Sequence, residues 1–153
     1  MPIVEANGLR LDCDVHGPAD APVVLLVMGL GMPAALWPDQ VILALTGAGF
    51  RVVTFDNRDA GGSTRFEGVR VPNVLGAIAR ALMRRKVSAP YTLEDMAADT
   101  VGLLDALGIA QAHVVGASMG GMIGQVVAAR HAARVLSLTS IMSNSGTWMT
   151  MAL

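Results

Sequence analysis

Gly116-Ala117-Ser118-Met119-Gly120 is the stretch on which the reading of this chain turns. An apolar run at 112–115 precedes it, and a helix-capable run, Met119–Arg130, follows. A serine between strand and helix, with a glycine two residues before and two after, has the spacing of a nucleophile elbow. On such a turn the Ser118 hydroxyl projects away from the sheet. Gly116 and Gly120 let neighbouring backbone pass where a Cβ would collide. The helix behind the serine aims unbonded N–H groups at any oxyanion that forms beside it. The five-letter pattern alone is weak, because glycine and serine are common; its flanks carry the reading. The competing reading makes Ser118 a helix N-cap and nothing more.

The chain has 153 residues, enough for one domain with a sizeable core. A net charge of −1 gives no electrostatic case for nucleic acid or an anionic membrane surface. Hydrophobic residues make up 53% and charged residues only 15%, which is high for a soluble domain. Either the sheet is buried on both faces, or part of the surface meets further protein. A single cysteine, Cys13, excludes an internal disulfide and leans towards a reducing compartment. The first residues include Glu5, Arg10 and Asp12 and carry no apolar signal region. The apolar stretch 23–37 is broken by Gly29, Gly31 and Pro33 and is too short to span a bilayer. These features predict a cytoplasmic protein without a membrane partner.

Outward from the elbow, residues 1–16 alternate about an Asn7-Gly8 turn, with Leu9, Leu11, Cys13 and Val15 on one face and Arg10, Asp12 and Asp14 on the other. That pattern predicts a β-hairpin with one solvated side. Residues 23–28 are continuously apolar, as in a strand buried on both faces. A Gly- and Pro-rich loop follows, then a helix over about 39–46 closed by Gly47 and Gly49, then a strand at 51–55. Strand, helix, strand is a βαβ unit with parallel strands. A polar, glycine-rich turn, residues 56–63, ends it. Residues 65–90 are the least legible. Helical character at 74–86 with Arg80, Arg84, Arg85 and Lys86 reads as a solvated face, with an anion-binding patch as the sharper alternative. Thr92 and Asp95 have capping-box spacing before a helix whose apolar face is Leu93, Met96, Ala97, Val101, Leu104 and Leu107, stopped by Gly108. Residues 135–142 form one more strand. The fold expected is an α/β sandwich: a mostly parallel sheet with an antiparallel N-terminal hairpin, flanked by helices.

Three features in this order resemble the first half of an α/β-hydrolase: the strand with its Met28-Gly29-Leu30-Gly31 loop, the Phe55-Asp56-Asn57-Arg58 turn ending in Gly61-Gly62-Ser63, and the elbow. Within that superfamily the chain is most similar to bacterial esterase-like members, including polyketide methylesterases, with Trp37-Pro38 soon after the Met-Gly loop. Many members have His-Gly where this chain has Met28-Gly29, and Arg-Gly where it has Arg58-Asp59. The resemblance implies that Ser118 is the nucleophile and that the backbone N–H groups of Met119 and Leu30 form the oxyanion hole. It implies hydrolysis of a small-molecule carboxylic ester through an acyl-Ser118 intermediate, with no cofactor and no metal. A cofactor-free haloperoxidase or perhydrolase would use the same residues. Epoxide and haloalkane hydrolases are disfavoured, because their nucleophile in this family is Asp.

The family's order is Ser, then Asp or Glu, then His. After Ser118 this chain has no Asp or Glu, and its only later histidine is His131, at the end of the elbow helix. His113 lies at the start of the strand into the elbow and His16 at the end of the hairpin; all three read as structural. No pair of histidines has metal-ligand spacing. Residues 1–153 therefore read as the N-terminal part of one α/β-hydrolase domain, without its cap and C-terminal part: a truncated product, a fragment or one partner of a split enzyme. The strand at 135–142 would lie at an uncovered edge, which predicts self-association or a complementing C-terminal half.

Two rivals stand beside this reading. Gly29, Gly31 and Ala34 match Gly-x-Gly-x-x-Ala after a strand, and Asp56 ends the next strand about where a ribose-binding acid belongs, as in a dinucleotide-binding domain. Pro33 inside the fingerprint counts against it. The other rival is a non-catalytic fold fragment that binds a partner. Phosphate-loop chemistry is excluded at Gly120-Gly121, because no Lys follows.

Overall fold

The computed structural model describes residues 2–66 and 90–145. The helix expected at 74–86, with its basic cluster, lies outside the described residues. Strands β1 (Ile3–Ala6) and β2 (Leu9–His16) form the expected hairpin, with Ala6 opposite Leu9 and Ile3 opposite Asp12. Asn7 (φ +50°) and Gly8 (φ +74°) both occupy the left-handed region. That is the two-residue turn whose twist matches the flanking strands. Leu11 and Cys13 are fully buried, and burial pushes the Cys13 thiol up. Val15 shares their side but emerges at the strand's end, 36% exposed, because nothing described covers that corner.

Four further strands complete a sheet of order β1-β2-β4-β3-β5-β6: β3 (Val23–Val27), β4 (Arg51–Phe55), β5 (Ala112–Ala117) and β6 (Val135–Ile141). β2 runs antiparallel to β4, whereas β4, β3, β5 and β6 are mutually parallel. Parallel neighbours need crossovers, and the helices supply them. α1 (Asp39–Gly47) links β3 to β4, α2 (Leu93–Ala106) leads into β5, and α3 (Met119–Arg130) links β5 to β6.

Every residue of β3 is buried, as its unbroken apolar run requires. The side-chain alternation of the strands divides the core in two. Leu25, Val27, Val53, Phe55 and Val114 face α2 and α3, where Leu103, Leu104, Ile123 and Val127 close over them. Val24, Leu26 and Val52 face the other way, against Trp37 and the α1 side chains Val41, Ile42 and Leu45. Each fully buried aliphatic side chain here contributes about 1.5–3 kcal/mol relative to exposure.

α2 starts on the capping box read from sequence. The Asp95 carboxylate accepts the Thr92 N–H at 2.7 Å, and Thr92 Oγ1 accepts the Asp95 N–H at 3.2 Å. The backbone bond from Thr92, helped by its hydroxyl, holds the Asp95 carboxyl below its ordinary range. Gly108, at φ +67°, stops the helix. The face of α2 is less purely apolar than its spacing suggests, since Asp99 and Thr100 are buried there too.

Among the described residues, β6 pairs only with β5. Leu138 packs inward towards α3, while Leu136 and Ile141 are exposed on this edge strand. No helix among the described residues is long and apolar enough to cross a membrane.

Candidate active site

Ser118 sits where β5 ends and α3 begins. Its backbone stands at φ +53° and ψ −120°, outside the regions a serine prefers. Two contacts hold it there. The Ser118 N–H donates to the Ile141 carbonyl at 2.8 Å, and the Ser118 carbonyl accepts the Gly121 N–H at 3.0 Å. The glycines make the turn possible. A Cβ on Gly116 would run into the Gly120 carbonyl, and a Cβ on Gly120 would run into the Val27 carbonyl. The elbow is thus wedged against the end of β3, where only glycine leaves room.

The capping alternative fails on geometry. Ser118 is the N-cap of α3, yet its side chain makes no cap hydrogen bond. Ser118 is exposed at the sheet's C-terminal end. Met119 follows at the first position of α3, half-buried, where its N–H has no acceptor within the helix.

The loop after β3 lies directly beside the serine. A Cβ on Gly29 would stand 3.3 Å from Ser118 Cβ and 3.5 Å from the Ala117 carbonyl oxygen. Gly29 opens a tight turn in which its carbonyl accepts the Met32 N–H at 3.3 Å, with Gly31 at φ +65°. Leu30, between them, is 70% exposed, and its N–H has no acceptor among the described residues. The structure therefore brings Ser118, Met119 and Gly29, the residue before Leu30, to one place, with Gly116 and Gly120 beneath.

The polar turn after β4 supports this arrangement in a way the sequence did not disclose. Asp56 is buried, and both its carboxylate oxygens are taken: Oδ1 accepts the Ala34 N–H at 2.6 Å and Oδ2 accepts the Gly62 N–H at 2.8 Å. An acid so engaged is not free to hold a ribose, which removes the residue on which the dinucleotide reading relied. Asn57 Nδ2 donates to the Met28 carbonyl at 2.9 Å. Arg58 is clasped by Asp99 of α2 through two bonds, Nε to Oδ2 at 2.6 Å and one terminal nitrogen to Oδ1 at 2.7 Å. Its guanidinium also lies over the rings of Tyr91, at 5.0 Å, and Phe66, at 5.5 Å. Burial pulls the Arg58 pKa down, but the Asp99 bond and charge outweigh it and hold it above its ordinary value. The signal for this pair was an acid at an interior position of α2, which the apolar spacing passed over.

The histidines are elsewhere. His16 of β2 lies opposite Val52, Val52 opposite Val24, and Val24 opposite His113. They share one row near the start of the parallel strands, at the end away from Ser118. His113 bonds Ser137 Oγ through Nδ1 at 2.8 Å and meets Phe50 edge-on. His131 is the C-cap of α3, about 18 Å along the helix from its start. Among the described residues no three His, Cys, Asp or Glu side chains could hold a metal ion.

The fold agrees with what the sequence is related to. Residues 22–153 match the α/β hydrolase fold family, and the chain belongs to it. It is 34% identical over 131 residues to the rhodomycin D methylesterase DauP of Streptomyces sp. strain C5, covering 86% of this chain and 38% of that one. It is 30% identical over 146 residues to 3-oxoadipate enol-lactonase 1 of Acinetobacter baylyi, covering 95% and 46%. Among solved structures, an enol-lactonase from Burkholderia xenovorans LB400 superposes with a TM-score of 0.69 at 33% identity, over 90% of this chain and 45% of that one. Epoxide hydrolase A from Mycobacterium thermoresistibile gives 0.72 at 29% identity, over 91% and 37%. The chain spans less than half the length of each of these relatives.

Proposed function

We propose that Ser118 is the nucleophile of a carboxylic-ester hydrolase. The observation that carries this reading is an exposed, uncapped serine held at φ +53° on a strand-to-helix turn. Such strain is retained where surrounding structure enforces it, and it clusters at functional sites. Ser118 Oγ would attack the ester carbonyl as a base takes its proton. The N–H groups of Met119 and Leu30 would stabilise the oxyanion. Collapse breaks the carbon–oxygen bond and releases the alcohol with a proton. Water then attacks the acyl-serine, frees the acid and returns the proton to Ser118. A methylesterase and a lactonase among the relatives support an ester as the bond cleaved. A serine at position 118 favours this acyl chemistry over epoxide opening. The reaction requires neither metal nor cofactor.

The base is proposed to come from a complementing segment or a second copy, since the described histidines stand at the far end of the sheet. Self-association through the exposed edge of β6 is part of the proposal. A single monomeric species by light scattering at about tens of micromolar would remove it. The placement of the histidines also favours a second reading, in which the elbow is formed but inert and the chain serves as a partner-binding module. Incubation with a p-nitrophenyl ester, acid quenching and peptide mass analysis separates the two. The first reading expects an acyl group on the peptide containing Ser118; an unmodified peptide, from folded protein, supports the second.

A further inference from the structure

We propose that Asn57 is a positioning residue that aims the Leu30 N–H at Ser118. The proposal rests on the ester-hydrolase reading for its function, but on geometry for its existence.

The loop that carries Leu30 has little rigidity of its own. It holds two glycines within four residues, Gly29 and Gly31, and Leu30 is exposed. Glycine leaves the backbone more conformations than any other residue. An oxyanion donor has to be in place before charge develops, so such a loop needs fixing from outside. Its peptide groups are fixed one after another. The Met28 carbonyl accepts from Asn57 Nδ2, the Gly29 carbonyl accepts from Met32, and the Ala34 N–H donates to Asp56. A peptide is planar and trans, so its N–H points opposite to its carbonyl. Fixing the Met28 carbonyl sets the plane of the peptide entering Gly29. Fixing the Gly29 carbonyl then sets the direction of the Leu30 N–H.

Asn57 is suited to this and to little else. It is buried, 3% exposed, so its amide has no solvent to fall back on. Its bond to Met28 joins residues from two different loops, those following β4 and β3. The neighbouring Asp56 is locked by Ala34 and Gly62, and Arg58 by Asp99, so the Asn57 backbone is anchored on both sides. An apolar side chain of similar size would fill the space but leave the Met28 carbonyl without its donor. The peptide entering Gly29 would then be free to rotate, leaving the Met32 bond alone to hold the Gly29 carbonyl and, through it, the Leu30 N–H. Met119, on α3, does not depend on this bond.

The test uses ¹⁵N-labelled chain, wild type beside Asn57→Leu and Asn57→Ala. In the wild type, the Asn57 side-chain amide should resist hydrogen exchange, and the Leu30 N–H should show a nuclear Overhauser contact to the Ser118 methylene. In the variants, that contact should be lost while the amide signals of β3 and β5 stay in place. An alkyl boronic acid is then added to form a tetrahedral adduct on Ser118. In the wild type both Leu30 and Met119 amides should shift. In the variants Met119 should still shift, Leu30 should not, and boronate affinity should fall about tenfold or more, short of the hundredfold or greater loss expected for deleting a donor outright. A merely structural role would move both amides or neither. Retention of the Leu30 contact and shift in a folded variant would overturn the proposal. Should both variants fail to fold, fast exchange of the wild-type Asn57 amide would overturn it and slow exchange with the Leu30 contact would support it. A wild-type chain that shows the contact but forms no adduct would sink the ester-hydrolase reading and leave the positioning role standing.

Discussion

Asp99, on α2, grips Arg58, in the turn after β4, through two bonds of 2.6 and 2.7 Å, and both side chains are buried. The same Asp99 carboxylate accepts from Asn7 Nδ2 at 2.7 Å. One acid thus ties a helix, the hairpin turn and the loop that supports the elbow.

Removing Asp99 should therefore be costly. Asp99→Ala leaves a guanidinium buried without its partner, and the expected loss is about 3–5 kcal/mol. Urea unfolding of the variant measures it. A loss under about 1 kcal/mol would mean that Arg58 finds water or another acceptor.

The strain at Ser118 predicts a conflict between stability and chemistry. Glycine adopts a positive φ without a Cβ penalty. Ser118→Gly should raise stability by about 1 kcal/mol, while abolishing any covalent labelling at this position. Thermal and denaturant unfolding give the sign. A less stable variant would show that the serine side chain contributes more to the fold than its backbone costs.

The glycines of the elbow should differ sharply from one outside it. A Cβ at Gly116 or Gly120 meets backbone that cannot move aside, whereas one at Gly47, the last residue of α1, meets nothing within 4 Å. Gly116→Ala and Gly120→Ala should each cost about 3 kcal/mol or more. Gly47→Ala should be neutral or stabilise by about 0.5 kcal/mol. Equal midpoints for all three variants would contradict the close packing of β3 against the elbow.

Tyr91 is the only tyrosine in the chain, so its titration can be followed by phenolate absorbance. Burial pushes its hydroxyl up to about 12, with a hydrogen bond to Asp59 adding to the effect. The unfolded value is about 10. The raised folded value means that the folded state holds the proton longer. The stabilisation is therefore complete below about pH 10 and is lost as pH rises from there through about 12. Folded protein should show half-maximal phenolate near the upper figure, and Asp59→Asn should bring it down. A midpoint near 10 in the folded chain would place Tyr91 in free solvent.

The parts of this molecule that were legible in sequence are those set by local rules. Asn7-Gly8 dictates its turn, Thr92 and Asp95 cap each other, Gly108 stops α2, and the Gly116 to Gly120 spacing places a serine between strand and helix. What was not legible depends on partners far apart in the chain. Asp99 looks like a misplaced acid on an apolar helix face until Arg58, 41 positions away, is brought to it. Asp56 looked like a free ribose ligand because its two N–H donors, Ala34 and Gly62, are recruited only by the fold. The uncapped state of Ser118 was equally hidden. Sequence shows a serine before a helix, and only the backbone angles decide whether its hydroxyl turns inward to cap.

The most direct test of the central claim is the reaction of the purified chain with an alkyl fluorophosphonate, read by intact mass beside Ser118→Ala. A single added phosphonyl group that disappears in the variant is the predicted result. It would mean that the elbow is formed and that a base reaches it, and His16, His113 and His131 could then be replaced in turn to ask whether a second copy supplies it. A folded chain whose mass never changes would contradict the claim, leaving a member of the α/β hydrolase family whose serine, in this polypeptide, is not a nucleophile.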